Sequence, residues 1–437
     1  MRIPILLLAM SLPILCAEDL KLEQAIELAV QHNADIVNAM LDVEKAGDRL
    51  AAFHTKLLPN LSFTALGAQQ LRPVTFTIER GQLGDFTSTG PIPSNDVKFS
   101  TPLRPTGILS SRVAQPLSGI YKVKLNLRVL DIQKQLAKEQ ARAKRHDVVQ
   151  SVKKLYYDIQ RVESSLNVAH EMAKLYRETD RLTADYVLQQ VALETDHLEA
   201  QTALARAEQD ELTLSDQAAS AKEQLNQLLG REVTTEFSVS SIQEASAGEV
   251  ELVIARQQAL EQRPEIRQSQ LKIEEAKQDL RIKRSEYIPD VNAEFNSIAL
   301  LNFSSFLPGQ ATSIGVSLSW EPFDWGRRKH ELTEKRRSVN QAKNTEADAR
   351  NKVLVDVNDK YRKLQQVRAQ FRVARLSQKT AVERLRIANR KYQLQAALFK
   401  TVLESQSSLQ QANNDYDQTL ANLWTAKAEF EHAIGEN

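Results

Sequence analysis

One cysteine occurs in 437 residues, Cys16, and a chain so poor in cysteine is not a disulfide-built scaffold. Glycine and proline are scarce as well, 13 of each, which argues against a succession of tightly turned α/β units. The abundance of Ala, Leu, Gln, Glu, Lys and Arg points instead to long helices. A formal net charge of +1 supplies no bulk field that would hold nucleic acid or an acidic partner. Catalytic signatures are missing too: there is no Gly-rich phosphate loop, no Gly-x-Ser-x-Gly elbow and no catalytic cysteine. The seven histidines, His32, His54, His146, His170, His197, His330 and His432, are not at metal-ligand spacing. His330-Glu331 opens like a zinc-protease helix, but position 334 is Glu and the second histidine is absent. The sequence is therefore read as neither an enzyme nor a metalloprotein, and no cofactor is expected.

Beyond the first 17 residues no apolar run is long enough for a membrane-crossing helix. Residues 1–17 themselves carry Arg2, an apolar stretch from Ile3 to Leu15 and the small residue Ala17 before Glu18-Asp19, the pattern of a secretory signal. Leu15 is not the small residue that normally precedes a lipidated cysteine, so cleavage after Ala17 is expected, leaving no cysteine and no lipid anchor. An exported chain without a membrane helix is periplasmic, extracellular or inserted as a β-barrel.

The barrel alternative has direct support. Ile314, Val316, Leu318 and Trp320 alternate with Gly315, Ser317 and Ser319, giving one apolar and one small, polar face. A transmembrane barrel strand is written this way, with lipid on one side and a wet lumen on the other. Trp320, Phe323 and Trp325 cluster at its end as interfacial aromatics do. After Pro289, Val291, Ala293 and Phe295 alternate with Asn292, Glu294 and Asn296, so the two strands form a hairpin through Leu300 to Gln310. A single strand of this pattern also fits a soluble sandwich.

The plan is written twice. A helix from Asp19 to Leu58 carries Leu22, Ala25, Ala29, Ile36 and Leu41 and stops at Pro59; adding 230 to each number gives Leu252, Ala255, Ala259, Ile266, Leu271 and Pro289. One unbroken offset over so many positions is an internal repeat. The first copy is expected over 18–230 and the second over 249–437, joined by 231–248. Strands are expected near 60–68 and 109–117, and near 290–298 and 313–321. Leu71 to Thr106, rich in Pro, Gly, Ser and Thr, reads as a large surface loop. Each hairpin leads into long antiparallel helices, about 122–230 and 327–435, with Val148, Val152, Leu155, Ile159, Val162, Leu166 and Ala169 on a heptad seam. The second copy carries Val353, Val357, Tyr361, Leu364, Val367, Phe371 and Ala374. Basic clusters, Arg142, Lys144, Arg145, Lys153 and Lys154, and Arg327, Arg328, Lys329, Lys335, Arg336 and Arg337, read as solvated helix faces. Four strands cannot close a barrel, for which about eight is the practical minimum. Closure requires self-association, and three copies supplying twelve strands is the smallest comfortable solution.

At this point the sequence resembles the outer-membrane efflux protein family, the TolC-like ducts. The resemblance rests on the doubled plan and on the junctions Leu58-Pro59-Asn60-Leu61 and Ile288-Pro289-Asp290-Val291. It also rests on the exits Gln115-Pro116-Leu117 and Trp320-Glu321-Pro322-Phe323-Asp324-Trp325-Gly326, and on the turn segments from Ala192 to Gln201 and from Ala397 to Gln406. It implies a mostly α protein with a β-barrel portion, a homotrimer with a twelve-stranded outer-membrane barrel continuous with a periplasmic α-helical tube. An adaptor would dock at the tips and couple the duct to an inner-membrane pump. Adaptor contacts implied on this basis are Val191, Ala192, Leu193, Leu198, Ala396, Ala397, Leu398 and Leu403, the leucines serving alternatively as seam residues. Glu404, Asp196 and Glu199 would be acidic at the pore entrance, and Glu404 alternatively a solvated charge. The family's turns often carry glycine six residues before an acid, where this sequence has Gln190 before Asp196 and Gln395 before Thr401. The competing expectation is a periplasmic coiled-coil adaptor or scaffold.

Overall fold

A computed structural model describes residues 18–69, 71–73, 75–100, 103–190, 193–240, 251–302, 308–394, 396 and 399–436. The expected signal segment with Cys16 lies outside these residues. In chain order the elements are β1 (Glu18–Leu20), α1 (Leu22–His32), α2 (Ala34–His54), β2 (Asn60–Gln69), β3 (Thr75–Ile78), β4 (Asp85–Phe86), β5 (Gly90–Pro91), β6 (Val97–Ser100) and β7 (Pro105–Pro116). There follow α3 (Gly119–Leu188), α4 (Glu194–Leu229), β8 (Phe237–Val239), α5 (Leu252–Gln262), α6 (Pro264–Ser285), β9 (Asp290–Leu301), β10 (Gln310–Ser319), α7 (Arg327–Gln393) and α8 (Phe399–Ile434). They make two compact units. One comprises the chain up to Glu44 with Leu136–Leu271 and Lys343–Asn437; the other comprises Lys45–Gln135 and Lys272–Ala342.

The first unit is helical and built on the expected seams. Val148, Val152 and Ile159 of α3 are buried with Ala25, Ala29, Leu225 and Leu229 in one core, while Val353, Val357, Leu364 and Val367 of α7 are buried with Ala255, Ala259, Phe430 and Ile434 in a second. Two equivalent cores are the packing counterpart of the repeat. The single helix expected from Asp19 to Leu58 is broken: residues 18–20 are a strand and Asn33 separates α1 from α2 with an extended backbone, φ −62° and ψ 125°. The reason is local. The Asn33 Oδ1 accepts from the Asp35 and Ile36 amides at 3.0 and 3.4 Å, capping α2, while its Nδ2 donates to the Leu228 carbonyl at 2.9 Å. An α-helix leaves its last four carbonyls without partners, and Asn33 supplies one of them to α4.

The second copy breaks at the corresponding place, Arg263, with φ −66° and ψ 129°. Its guanidinium reaches the Ala433 carbonyl at 3.4 Å and pairs with Asp356 at 2.5 Å and Glu265 at 2.8 Å. Burial alone would lower the Arg263 pKa, but these two carboxylates raise it, and the same contact depresses that of Glu265 against its own burial. One polar side chain thus performs the same joint in both repeats with different chemistry. Each joint abuts a left-handed glycine: a Cβ on Gly230, φ 68°, would lie 2.4 Å from the His32 carbonyl oxygen, and one on Gly435, φ 87°, 3.0 Å from Gln262 Cβ. The linking segment also enters the first core. β8 pairs in parallel with β1, Leu20 and Phe237 are buried, and the Tyr156 hydroxyl donates to the Leu20 carbonyl at 2.8 Å.

The second unit holds a four-stranded sheet in the order β10-β9-β7-β2, antiparallel throughout. The outer edges of β10 and β2 have no ladder partner among the described residues. Within Leu71 to Thr106, read as loop, the chain instead forms two nested antiparallel ladders, β3 with β6 and β4 with β5, and Phe76 stacks on Phe99 at 5.6 Å. Ladders of two to four residues are too short to leave a period in the sequence.

Candidate functional site

The sheet sorts its side chains by face. Its register aligns Ile314 with Phe295, Phe295 with Val113 and Val113 with Leu61 across all four strands. Val316 faces Ala293 and Leu318 faces Val291 on the same side. Ile314, Val316, Leu318, Leu61 and Phe63 are 85, 70, 66, 75 and 67 % exposed, so no second layer of described residues covers this face, as a soluble sandwich would require. The opposite face aligns Ser313, Asn296, Arg112 and Ser62. There Arg112 reaches Glu294 at 2.6 Å, and Ser317 donates to the same carboxylate at 2.9 Å. One apolar and one polar face, with two open edges, is the pattern that strands of a membrane barrel carry.

At the end of β10, Trp320, Phe323 and Trp325 are 57, 67 and 89 % exposed, and the Phe323 and Trp325 rings meet edge to face at 4.8 Å. The turn that presents them is fixed by Arg328. Of the basic residues read as solvated, Arg328 is buried: it donates to the Glu321 carbonyl at 2.7 Å and pairs with Glu321 at 2.9 Å and Asp324 at 3.5 Å. The Asp324 carboxylate accepts from the Gly326 and Arg328 amides at 3.1 and 3.0 Å, capping α7, and these hydrogen bonds hold its pKa below the usual value. Lys153 likewise departs from the solvated reading, pairing with Glu431 at 2.9 Å.

In the helical unit, α3 and α4 meet at a turn whose Gln190 has φ 58°. This is the left-handed conformation that glycine adopts most readily, which gives the physical sense of a glycine at that position. Asp196, placed by the sequence at a pore entrance, acts within this chain as the cap of α4: its Oδ2 accepts from the Leu193 amide at 3.1 Å. Leu193 and Leu198 are 70 and 52 % exposed, so neither is a seam residue of its own hairpin. Glu199, Glu404 and Ala396 are exposed, and Leu403 lies in α8. Val191, Ala192, Ala397, Leu398 and Gln395 lie outside the described residues. The sequence reading missed His197, beside Asp180 at 3.4 Å, and the pair His146 and His432, whose ring centroids are 6.4 Å apart. Sequence separation hides both contacts. Among the described residues no three His, Cys, Asp or Glu side chains converge as a metal site, and no helix is long and apolar enough to cross a membrane.

The family model for outer membrane efflux proteins matches residues 25–231 and 255–436, one stretch for each repeat. The chain belongs to this family. The efflux protein is thus an outer-membrane protein. No curated protein matches its sequence, whereas solved structures match its fold. The outer membrane protein VceC of Vibrio cholerae superposes with a TM-score of 0.72 at 19 % identity, covering 95 % of this chain and 96 % of that one. The Campylobacter jejuni CmeC outer membrane channel gives 0.75 at 14 % identity, covering 95 % and 85 %. The open-state Neisseria gonorrhoeae MtrE outer membrane channel gives 0.70 at 16 % identity, covering 95 % and 89 %.

Proposed function

We propose that this efflux protein is the outer-membrane duct of a tripartite efflux or type I secretion system, passively conducting cargo delivered by an inner-membrane pump through a periplasmic adaptor. The observation that carries the reading is the sheet: four antiparallel strands with one apolar and one polar face and two open edges. Because β10 and β2 run in opposite directions, joining β10 of one copy to β2 of the next continues the antiparallel pattern. Three copies close twelve strands around the face that holds Arg112 and Glu294. On this reading residues 1–17 are the export signal, Trp320, Phe323 and Trp325 sit at the membrane interface, and exposed Leu193 and Leu198 face the adaptor. Glu404 and Glu199 line the entrance, with Asp196 beside them. Conduction of this kind needs no catalytic group, since the pump supplies the energy.

The test is negative-stain imaging of protein extracted in detergent from the membranes of an expressing Gram-negative host. Three-fold tapered tubes with a detergent belt at one end are expected. Soluble, detergent-independent rods would overturn the duct and favour a periplasmic scaffold.

A further inference from the structure

The four strands of the sheet carry three charged residues in all, Arg112 on β7 and Asp290 and Glu294 on β9. Asp290 stands at the start of β9 and is matched there by Lys122 of α3 at 2.6 Å. Arg112 and Glu294 stand farther along, on the polar face among Ser62, Ser313 and Asn296. The register sets Arg112 opposite Asn296 and Glu294 opposite Ala114, so the two charges meet diagonally across the β7–β9 ladder, at 2.6 Å. From the other side, Ser317 of β10 donates to the same carboxylate oxygen at 2.9 Å. Glu294 is thus held from both neighbouring strands. Its side chain is 16 % exposed and that of Arg112 is 55 % exposed, so the guanidinium covers the carboxylate.

A carboxylate left alone on this face would put a fixed negative charge on whatever the face encloses. With a guanidinium in contact, the two opposite potentials cancel beyond a short distance and the wall is left neutral. The first repeat has no such pair. The offset of 230 between the repeats sets Thr64 at the place of Glu294. Thr64 lies opposite Ser110 as Glu294 lies opposite Gly315, which sets Ser317 at the place of Arg112. The charges therefore occur once per copy rather than once per repeat, and a barrel of three copies holds three pairs. Rings of unmatched carboxylates favour cations in a pore, and rings of unmatched guanidiniums favour anions.

We infer that Arg112 sets the ion selectivity of the barrel: its guanidinium neutralises Glu294, and three closed pairs leave the barrel wall without net charge and open to cargo of either sign. This rests on the trimeric duct and adds a selectivity-determining residue distinct from Glu404.

Planar-bilayer recordings of the full-length trimer under a KCl gradient test it. Arg112→Gln leaves three carboxylates unmatched and should raise the K⁺-to-Cl⁻ permeability ratio by about threefold, while Glu294→Gln leaves three guanidiniums unmatched and should lower it by a similar factor. Arg112→Gln and Glu294→Gln together should return the wild-type ratio. Both single shifts should shrink as salt rises from about 0.1 to about 1 M, because the screening length falls from about 10 to about 3 Å. Arg112→Lys keeps the charge and should keep the wild-type ratio. A clasp that only ties β7 to β9 gives a different pattern: each single variant loses thermal stability, and the ratio does not move in opposite directions. Ratios that stay unchanged, or that move the same way in both single variants, overturn the inference while leaving the duct. Loss of the trimer in both single variants and in the double variant overturns it in favour of the structural clasp. A wild-type trimer that forms no conducting pore overturns the duct and the inference together.

Discussion

Replacing Asn33 with Ala removes two functions of one side chain. The Oδ1 cap on the Asp35 and Ile36 amides contributes about 1 kcal/mol, as such caps generally do. Loss of the Nδ2 donor leaves the Leu228 carbonyl without its partner at the end of α4, a cost of about 1–2 kcal/mol for a desolvated acceptor. Together these amount to about 2–3 kcal/mol, which predicts roughly 30- to 150-fold faster opening of the joint. Hydrogen exchange followed by mass spectrometry suits a protein whose global unfolding in detergent need not be reversible. Peptides covering residues 30–40 and 226–231 should exchange faster by that factor, with the α6 joint unchanged. Asn33→Ser keeps an acceptor for the cap and should recover only the smaller part. Unchanged exchange at both peptides would refute the argument that Asn33 ties α4 to the α1–α2 break.

Gly230→Ala places a Cβ against the His32 carbonyl oxygen in a left-handed backbone; the yield of folded protein should fall sharply. Gly326→Ala, also at positive φ but with open space around it, should lose only about 1–2 kcal/mol, read as an earlier thermal transition. Burial, and then the nearby Arg142, His432 and Arg145 charges, hold the His146 pKa below the ordinary 6.5, with Glu265 opposing. The unfolded chain therefore takes up this proton first. The His146 contribution is intact above about pH 6.5 and is lost as pH falls through and below it. His146→Gln should flatten the acid side of a thermal-stability profile, and an unchanged profile would count against it. On the apolar sheet face, Val316→Arg should cost about 2–4 kcal/mol near the bilayer midplane and deplete the outer-membrane fraction. Ser317→Arg, on the polar face, should insert normally. Glu404→Gln should reduce cation selectivity in bilayer recordings, and identical reversal potentials would remove Glu404 from the entrance.

The large elements were legible because their periods are long. The alternation through Ile314 to Trp320 and the seam through Val148 to Ala169 survive as a sheet face and a buried stripe. The joints were not legible. Asn33 and Arg263 occupy equivalent places in the repeat, yet neither is a proline or glycine, and each breaks its helix only because a carbonyl on a distant helix end is there to be met. Arg328 hid in a basic run because burial by Glu321 and Asp324 depends on the turn they share. The tips were placed by resemblance more than by chemistry. The cap made by Asp196 shows that an acidic residue at a turn can serve the backbone before it serves a pore.

The central ladder of the sheet joins β7 to β9, pairing Gly107 with Leu301 and Pro116 with Asn292. Those partners come from different repeats, so a ribosome must deliver most of the polypeptide before the ladder can begin to form. Until then the β2–β7 hairpin presents Leu61 and Phe63 to water with nothing beside it. Contacts of such long sequence separation are slow to form, and an exposed, unpaired strand edge during that delay invites aggregation. The duplication that makes the barrel segment symmetrical also imposes a waiting period in biogenesis, during which the first hairpin needs escort across the periplasm.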